Sequence, residues 1–129
     1  MEYRYGRSVF PVIVLEENDE LRVVLTEALE LAGIAALEAS SPEIADKVIR
    51  SHRSIGAAIG DPHFRGRDPE QVLEAISAQC RKRGVPFLLL SSDHTLIDSA
   101  FRHGVGACMP KPFDLDTLLL LVHALGRNA

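Results

Sequence analysis

The sequence predicts an α/β fold in which a doubly wound, five-stranded parallel sheet carries helices on both faces. Two observations predict this class. Short apolar runs alternate along the chain with longer segments of helical periodicity, a pattern typical of consecutive βα units. Four of these runs lead into polar residues that can do chemistry, as expected where the carboxyl ends of parallel strands form a ligand site.

The composition is that of one globular domain in a reducing compartment. The 129 residues, 47% of them hydrophobic and 25% charged, suffice for one core. A net charge of −4 gives no reason to expect nucleic-acid or membrane-surface binding, and no apolar run approaches the roughly 18 residues of a membrane span. Cys80 and Cys108 lack metal-ligand spacing, so we expect two thiols in the cytoplasm, with a disulfide as the alternative.

The predicted elements form five βα units of the flavodoxin-like type. We expect one domain over residues 9–127, a tail over residues 1–8 and no output domain. In chain order the elements are strand 10–15, helix 19–32, strand 34–39, helix 42–52, strand 55–60, helix 69–83, strand 85–90, helix 95–103, strand 107–109 and helix 115–125.

Capping signals set the helix boundaries. Ser41-Pro42 and Asp68-Pro69 each place a side-chain cap before a first-turn proline, which is typical of helix starts. Gly33, Gly84 and Gly104 stand where helices end, because glycine readily adopts the left-handed backbone of a C-terminal cap.

Apolar periodicity predicts which side of each helix is buried. Strand 85–90 is the most apolar, so we expect it to be central and buried on both faces. The segment 118–122 is apolar nearly all round, which predicts burial against the sheet and leaves a homodimer through this helix open. The predicted inward residues are Leu21, Leu25, Ala28, Leu31 and Ala32 in the first helix, Ile44, Ala45, Val48 and Ile49 in the second, and Val72, Leu73, Ile76 and Cys80 in the third.

The polar residues at the strand ends predict one pocket. Glu16 and Glu17 follow the first strand, Asp61 the third, Ser91 the fourth and Lys111 the fifth. Carboxylates suit a hard divalent cation, a lysine can neutralise a phosphoryl group, and an aspartate can become an aspartyl phosphate. The combination predicts a cation-plus-phosphate site with Asp61 as the nucleophile.

Each of these residues also has an ordinary structural explanation. Acidic residues near a helix start complement the helix dipole, Asp61-Pro62 is a common turn starter, and lysines such as Lys111 are usually solvated. Ser91 can simply end a strand. The ordinary explanation is preferable for each residue alone, whereas the four positions in this order favour a functional site.

With these motifs the chain resembles the receiver domain of two-component response regulators, from about Val9 to Leu125. The segment VIVLEENDELR at 12–22 resembles the family's first strand, acidic pair and opening helix. Asp61 falls at the phospho-accepting aspartate, and Ser91-Ser92 resembles the Thr/Ser switch followed by a small residue. Lys111-Pro112-Phe113 matches the Lys-Pro-Phe signature, the most specific motif.

The resemblance implies a phosphorelay function. A histidine kinase or histidine phosphotransfer protein would phosphorylate Asp61, and Ser91 and Lys111 would grip the phosphate. Mg²⁺ would be held by Glu17, Asp61 and the backbone carbonyl of His63, with Glu16 acting through metal-bound water. The output would pass by protein–protein interaction to an unknown downstream protein, with no enzymatic activity beyond self-phosphorylation and self-dephosphorylation.

Two further features follow from the resemblance. The family places a cis peptide before the proline of its signature, here Lys111-Pro112, and X-Pro bonds are the ones for which the cis form is accessible. His63 and Asp93 occupy positions that, in the family, tune the lifetime of the phosphate.

The chain departs from the family pattern at five positions. Glu17 replaces the usual Asp, Arg65 the usual Pro, Pro69 the usual Gly, Gly60 a bulkier apolar residue and Cys108 the aromatic switch. These departures favour an alternative, a degenerate receiver that acts as a phosphorylation-independent interaction module. A small flavodoxin-like cofactor binder is a third reading, disfavoured because no loop offers a Ser/Thr/Gly-rich phosphate cradle.

Overall fold

The computed structural model describes residues 9–128, so the expected tail at 1–8 lies outside the described residues. Five strands form one parallel sheet in the order β2-β1-β3-β4-β5, which confirms the predicted doubly wound fold. The strands are β1 (Val12–Leu15), β2 (Ala36–Ala39), β3 (Ala57–Gly60), β4 (Phe87–Ser91) and β5 (Ala107–Pro110). The helices are α1 (Asp19–Leu31), α2 (Pro42–Ser51), α3 (Pro69–Arg83), α4 (His94–Ala100) and α5 (Leu115–Leu125), with a 3₁₀ turn at Phe101–His103.

The capping signals place the helix ends well. The Ser41 hydroxyl accepts the Ile44 N–H, and the Asp68 carboxylate accepts the Glu70 N–H. Gly84 and Gly104 have the left-handed φ values of 66° and 78° that their positions predict. The predicted helix at 95–103 is wrong in one respect, since only 94–100 is α-helical and residues 101–103 form the 3₁₀ turn before Gly104.

The sheet has apolar layers on both faces, as its crossovers require. Leu25 of α1 and Val122 of α5 pack on one face of the sheet. Ile49 of α2, Leu73 of α3 and Leu96 of α4 pack on the other. Successive strand residues point to opposite faces, so the whole of β4 is buried.

Strand β4 lies inside the sheet, between β3 and β5, and is buried throughout, as its apolarity predicts. Two predictions for individual helix residues are wrong for geometric reasons. Leu31 is 88% exposed, since the buried stripe runs through Leu25, Leu29 and the predicted inward residue Ala32, and residue 31 lies to one side of it. Ile44 is 40% exposed because α2 faces the sheet with Ala45 and Ile49.

Close strand pairing at Gly60 sets the distance between two site-bearing strand ends. Gly60 pairs with Leu15, and a Cβ added at Gly60 would collide with the Leu15 carbonyl oxygen and lie 2.7 Å from the Leu15 Cβ. The small residue therefore lets β3 approach β1 so closely that Asp61 and Glu16 end side by side.

Replacing Gly60 with alanine should lower the free energy of unfolding by roughly 1–3 kcal/mol, because the added methyl group overpacks against β1. Gly106→Ala is the matched control, since a Cβ there has its nearest neighbours at 3.5 and 4.0 Å. Urea unfolding should show a lower midpoint for the Gly60 variant at an unchanged slope. Equal midpoints for the two variants would contradict this account of the packing.

Candidate functional site

The side chain of Lys111 lies between two buried carboxylates. Its Nζ donates hydrogen bonds to Glu16 Oε1 at 2.9 Å and to Asp61 Oδ2 at 2.8 Å. Glu16 is 4% exposed and Asp61 is 7% exposed. The ends of β1, β3 and β5 thus bring together three of the predicted site residues.

The ammonium stays charged in this position. Burial lowers the pKa of Lys111, but the hydrogen bonds and negative charges of Asp61 and Glu16 outweigh it and raise the pKa above 10.5. The backbone helps to fix the lysine, because its N–H donates to the carbonyl of Ser91 at 3.0 Å. The peptide that follows, Lys111-Pro112, is cis, as the resemblance implies.

The other oxygen of Asp61 is bound by His63. The backbone N–H of His63 donates to Asp61 Oδ1 at 2.9 Å, and the ring Nδ1 lies 2.6 Å from the same oxygen. The ring Nε2 lies 3.2 Å from Asp93 Oδ2. Burial lowers the pKa of His63, but the hydrogen bonds and charges of Asp61 and Asp93 outweigh it and raise the pKa above 6.5.

Ser91 is fully buried and reaches the site only indirectly. Its hydroxyl accepts the N–H of Asp93 at 3.0 Å, and within residues 9–128 it has no hydrogen bond to the side chain of Asp61 or Lys111. Asp93 is the N-terminal cap of α4, where its carboxylate accepts the Leu96 N–H. Ser91 therefore connects the site to the start of α4.

Solved structures of response regulator receivers share this fold. A response regulator receiver protein from Pseudomonas putida is 25% identical, with a TM-score of 0.79 over 91% of this chain and 98% of that one. The chemotaxis protein CheY4 of Vibrio cholerae is 18% identical, with a TM-score of 0.78 over 92% and 99%. The receiver domain of a sensor histidine kinase from Pseudomonas aeruginosa, solved with a magnesium ion coordinated in its active site cleft, is 18% identical, with a TM-score of 0.76 over 92% and 98%.

No protein-family model and no curated protein matches the sequence. The three-dimensional likeness nevertheless extends over nearly the whole of this chain and of each matched chain. The protein has the fold of a response regulator receiver domain.

Mg²⁺ suits the donor chemistry of this site but not the present arrangement of its side chains. An open depression of about 590 Å³ contains the predicted ligands, and carboxylate oxygens are the donors that Mg²⁺ prefers. Within residues 9–128, however, no group of three or more His, Cys, Asp or Glu side chains is arranged to hold a metal ion. The depression is lined by Glu16, Glu17, Asn18, Asp61, His63 and Arg65.

Glu17, one of the predicted Mg²⁺ ligands, is bound through its side chain to the backbone of a different loop. Its side chain is exposed, and its Oε2 accepts the backbone N–H of Arg65 at 2.8 Å. Both carboxylate oxygens of Glu16 are engaged, one by Lys111 and one by the N–H of Asn18. Since no group that includes Glu17 in its present position is arranged to hold a metal ion within residues 9–128, a cation held jointly by Asp61 and Glu17 would require the Glu17 side chain to turn away from Arg65.

Sequence reasoning missed Arg22, which braces the acidic loop. Its guanidinium donates to the Glu16 carbonyl at 2.8 Å, to Asp19 at 2.5 Å and to Glu38 at 3.2 Å. The spacing of Asp19 and Arg22 on one helical face was the available signal, but the bonds to the Glu16 carbonyl and to β2 are tertiary contacts.

Replacing Lys111 with methionine should lower the free energy of unfolding by about 3 kcal/mol, because two buried carboxylates lose their counterion. Since the pKa of Lys111 is raised above 10.5, the stabilisation is present below that pH and is lost only as the pH rises through the raised value. Chemical denaturation should therefore show a constant deficit between about pH 7 and about pH 9. Lys47→Met, at an exposed position on α2, is the matched control, and a deficit no larger than the control's would refute the ion-pair account.

The imidazole of His63 should titrate above its ordinary pKa of 6.5. Its protonation then stabilises the folded state below pH 6.5, and this stabilisation is lost as the pH rises through the raised pKa. NMR titration of the ring protons should show a larger fall in pKa for Asp61→Asn than for Asp93→Asn, because Asp61 lies nearer. A pKa of His63 at or below 6.5 in the wild-type protein would contradict the hydrogen bonds of its ring to Asp61 and Asp93.

Proposed function

We propose that this receiver accepts a phosphoryl group on Asp61 from a phosphohistidine, carried by a histidine kinase or a histidine phosphotransfer protein. The observation that supports it best is the ion pair of Lys111 with Asp61 and Glu16. The half-buried ammonium that follows β5 lies 2.8 Å from an aspartate oxygen. From there it can move from the carboxylate to a phosphoryl group as negative charge is transferred.

The transfer needs no covalent chemistry beyond an exchange at phosphorus. An oxygen of Asp61 attacks the phosphorus atom, a P–O bond forms, and the P–N bond to the donor histidine breaks with its electron pair leaving on nitrogen. Both oxygens of Asp61 already accept hydrogen bonds. We therefore assign Lys111 the role of moving from Asp61 Oδ2 to an oxygen of the transferred group.

A divalent cation is the second part of the proposal. The residues that would hold Mg²⁺ are Asp61, Glu17 and the carbonyl of His63, with Glu16 acting through bound water, and the cation would neutralise charge on the phosphoryl group. The depression contains three carboxylates, those of Glu16, Glu17 and Asp61, and carboxylate oxygens are the donors that Mg²⁺ prefers.

The output of the proposed receiver is a change at α4. A phosphate on Asp61 would attract the Ser91 hydroxyl, which now accepts the Asp93 N–H. Asp93 caps α4 and contacts His63, so a shift at Ser91 reaches both the helix and the neighbouring loop. A downstream protein that binds α4 would read this change by population shift.

The cellular setting we propose is the cytoplasm. Cys80 and Cys108 are both free thiols, as expected in a reducing compartment. Within residues 9–128 no helix is long and apolar enough to cross a bilayer. A homodimer through α5 gains little support, because Leu118, Leu119 and Val122 are buried against the sheet and only Leu120 of this group is largely exposed.

One observation favours the alternative of a degenerate receiver that binds proteins without being phosphorylated. Glu17, which the resemblance makes a metal ligand, is engaged with the backbone of Arg65. If that contact persists in the presence of Mg²⁺, the site lacks one carboxylate for the cation and the fold serves as an interaction surface.

Incubation with acetyl phosphate and Mg²⁺ should add one phosphoryl group to the wild-type protein, measured by intact mass. Asp61→Asn should gain none, because the amide oxygen is a poor nucleophile. Asp98→Asn, which changes an exposed aspartate on α4, is the control and should be phosphorylated like the wild type. Failure of the wild type to gain mass, together with a silent Mg²⁺ titration, would favour the degenerate receiver.

A further inference from the structure

Glu17 joins two loops that are distant in sequence. It lies just after β1, at the carboxyl end of the parallel strands. Its carboxylate accepts the N–H of Arg65, a residue 48 positions later in the loop between β3 and α3. The partner is a backbone group, and the side chain of Arg65 is exposed. The contact therefore requires an N–H at position 65 but not an arginine.

The turn that contains Arg65 is suited to proline. The N–H of Arg67 donates to the Phe64 carbonyl at 3.0 Å, and Gly66 has a φ of 77°, which together indicate a type II turn over 64–67. Arg65 is its second residue, the position where proline is favoured. A proline at position 65 would fit the turn but would have no N–H to donate to Glu17.

This hydrogen bond joins two of the five departures from the family pattern. Glu17 replaces an aspartate, whose side chain is one methylene shorter, and Arg65 replaces a proline, which has no N–H. The longer acid and the available amide are the two halves of one contact. Each departure alone lacks a structural reason, whereas together they form a 2.8 Å hydrogen bond.

We propose that Glu17 and the backbone of Arg65 form a clamp, and that a divalent cation at Asp61 competes with this clamp for the Glu17 carboxylate. The clamp is closed without the cation and fixes the loop between β3 and α3 against the acidic loop. Cation binding turns Glu17 toward Asp61 and releases the Arg65 amide. The cation half of this proposal rests on the proposed function, while the clamp itself does not.

The clamp should weaken cation binding moderately. In the proposed competition, the hydrogen bond from the Arg65 amide to the exposed Glu17 carboxylate is broken when Glu17 turns to become a ligand. With the usual net strength of such bonds, we expect its removal to tighten Mg²⁺ binding about threefold to tenfold.

Two variants at position 65 separate the clamp from the charge of the arginine. Arg65→Pro and Arg65→Ala both remove the guanidinium, but only the alanine variant keeps the N–H. Mg²⁺ titration followed by the amide signals around Asp61 should give a dissociation constant about threefold to tenfold lower for Arg65→Pro than for Arg65→Ala. Equal affinities, or no Mg²⁺ binding by either variant, would overturn the competition.

A second measurement reads the clamp directly and does not depend on the proline variant. Solvent exchange of the Arg65 amide, followed by NMR, should be slower in the wild-type protein than in Glu17→Ala, and Mg²⁺ should accelerate it in the wild type only. Identical exchange in the two metal-free proteins would overturn the clamp. If the clamp is present but acetyl phosphate does not modify Asp61, the inference holds and the proposed function fails.

Discussion

The pairing of one lysine with two buried carboxylates is the interaction on which the rest of the site depends. Glu16 and Asp61 lie side by side because β3 approaches β1 closely at Gly60, and two adjacent buried anions are costly without a counterion. Lys111, from the end of β5, supplies the positive charge. Strand order, close packing and electrostatics are thus linked at a single ammonium group.

The polar groups around this ion pair are linked to one another in the described structure. Asp61 binds Lys111 and His63, His63 also contacts Asp93, and Glu17 holds the backbone of Arg65. Chemistry in such a site proceeds by exchange of partners, since a new ligand has to displace an existing hydrogen bond. The same links connect the site around Asp61 to the start of α4 and to the loop before α3. A change at Asp61 can therefore alter the structure at both places.

Much of the fold follows from local signals in the sequence. Proline and side-chain caps place the starts of α2 and α3, and left-handed glycines mark helix ends, because these signals act within a few residues. The errors at Leu31 and Ile44 arise because periodicity indicates that a face of a helix is buried without fixing the exact direction of that face. The direction depends on the neighbouring element, which the local sequence does not contain.

The sequence by itself determined the α/β class and placed Glu16, Asp61 and Lys111 at one edge of the sheet, because parallel strands align their carboxyl ends. It could not determine which oxygen each group would bind, since hydrogen-bond partners 48 to 95 residues apart are set by packing. Tertiary structure alone directed Glu17 to the Arg65 amide and placed His63 between Asp61 and Asp93. It also directed the Ser91 hydroxyl to the Asp93 N–H rather than to Asp61. These contacts depend on where the side-chain atoms lie to within about an ångström. The packing of the strands and helices sets those positions, and residue type alone does not.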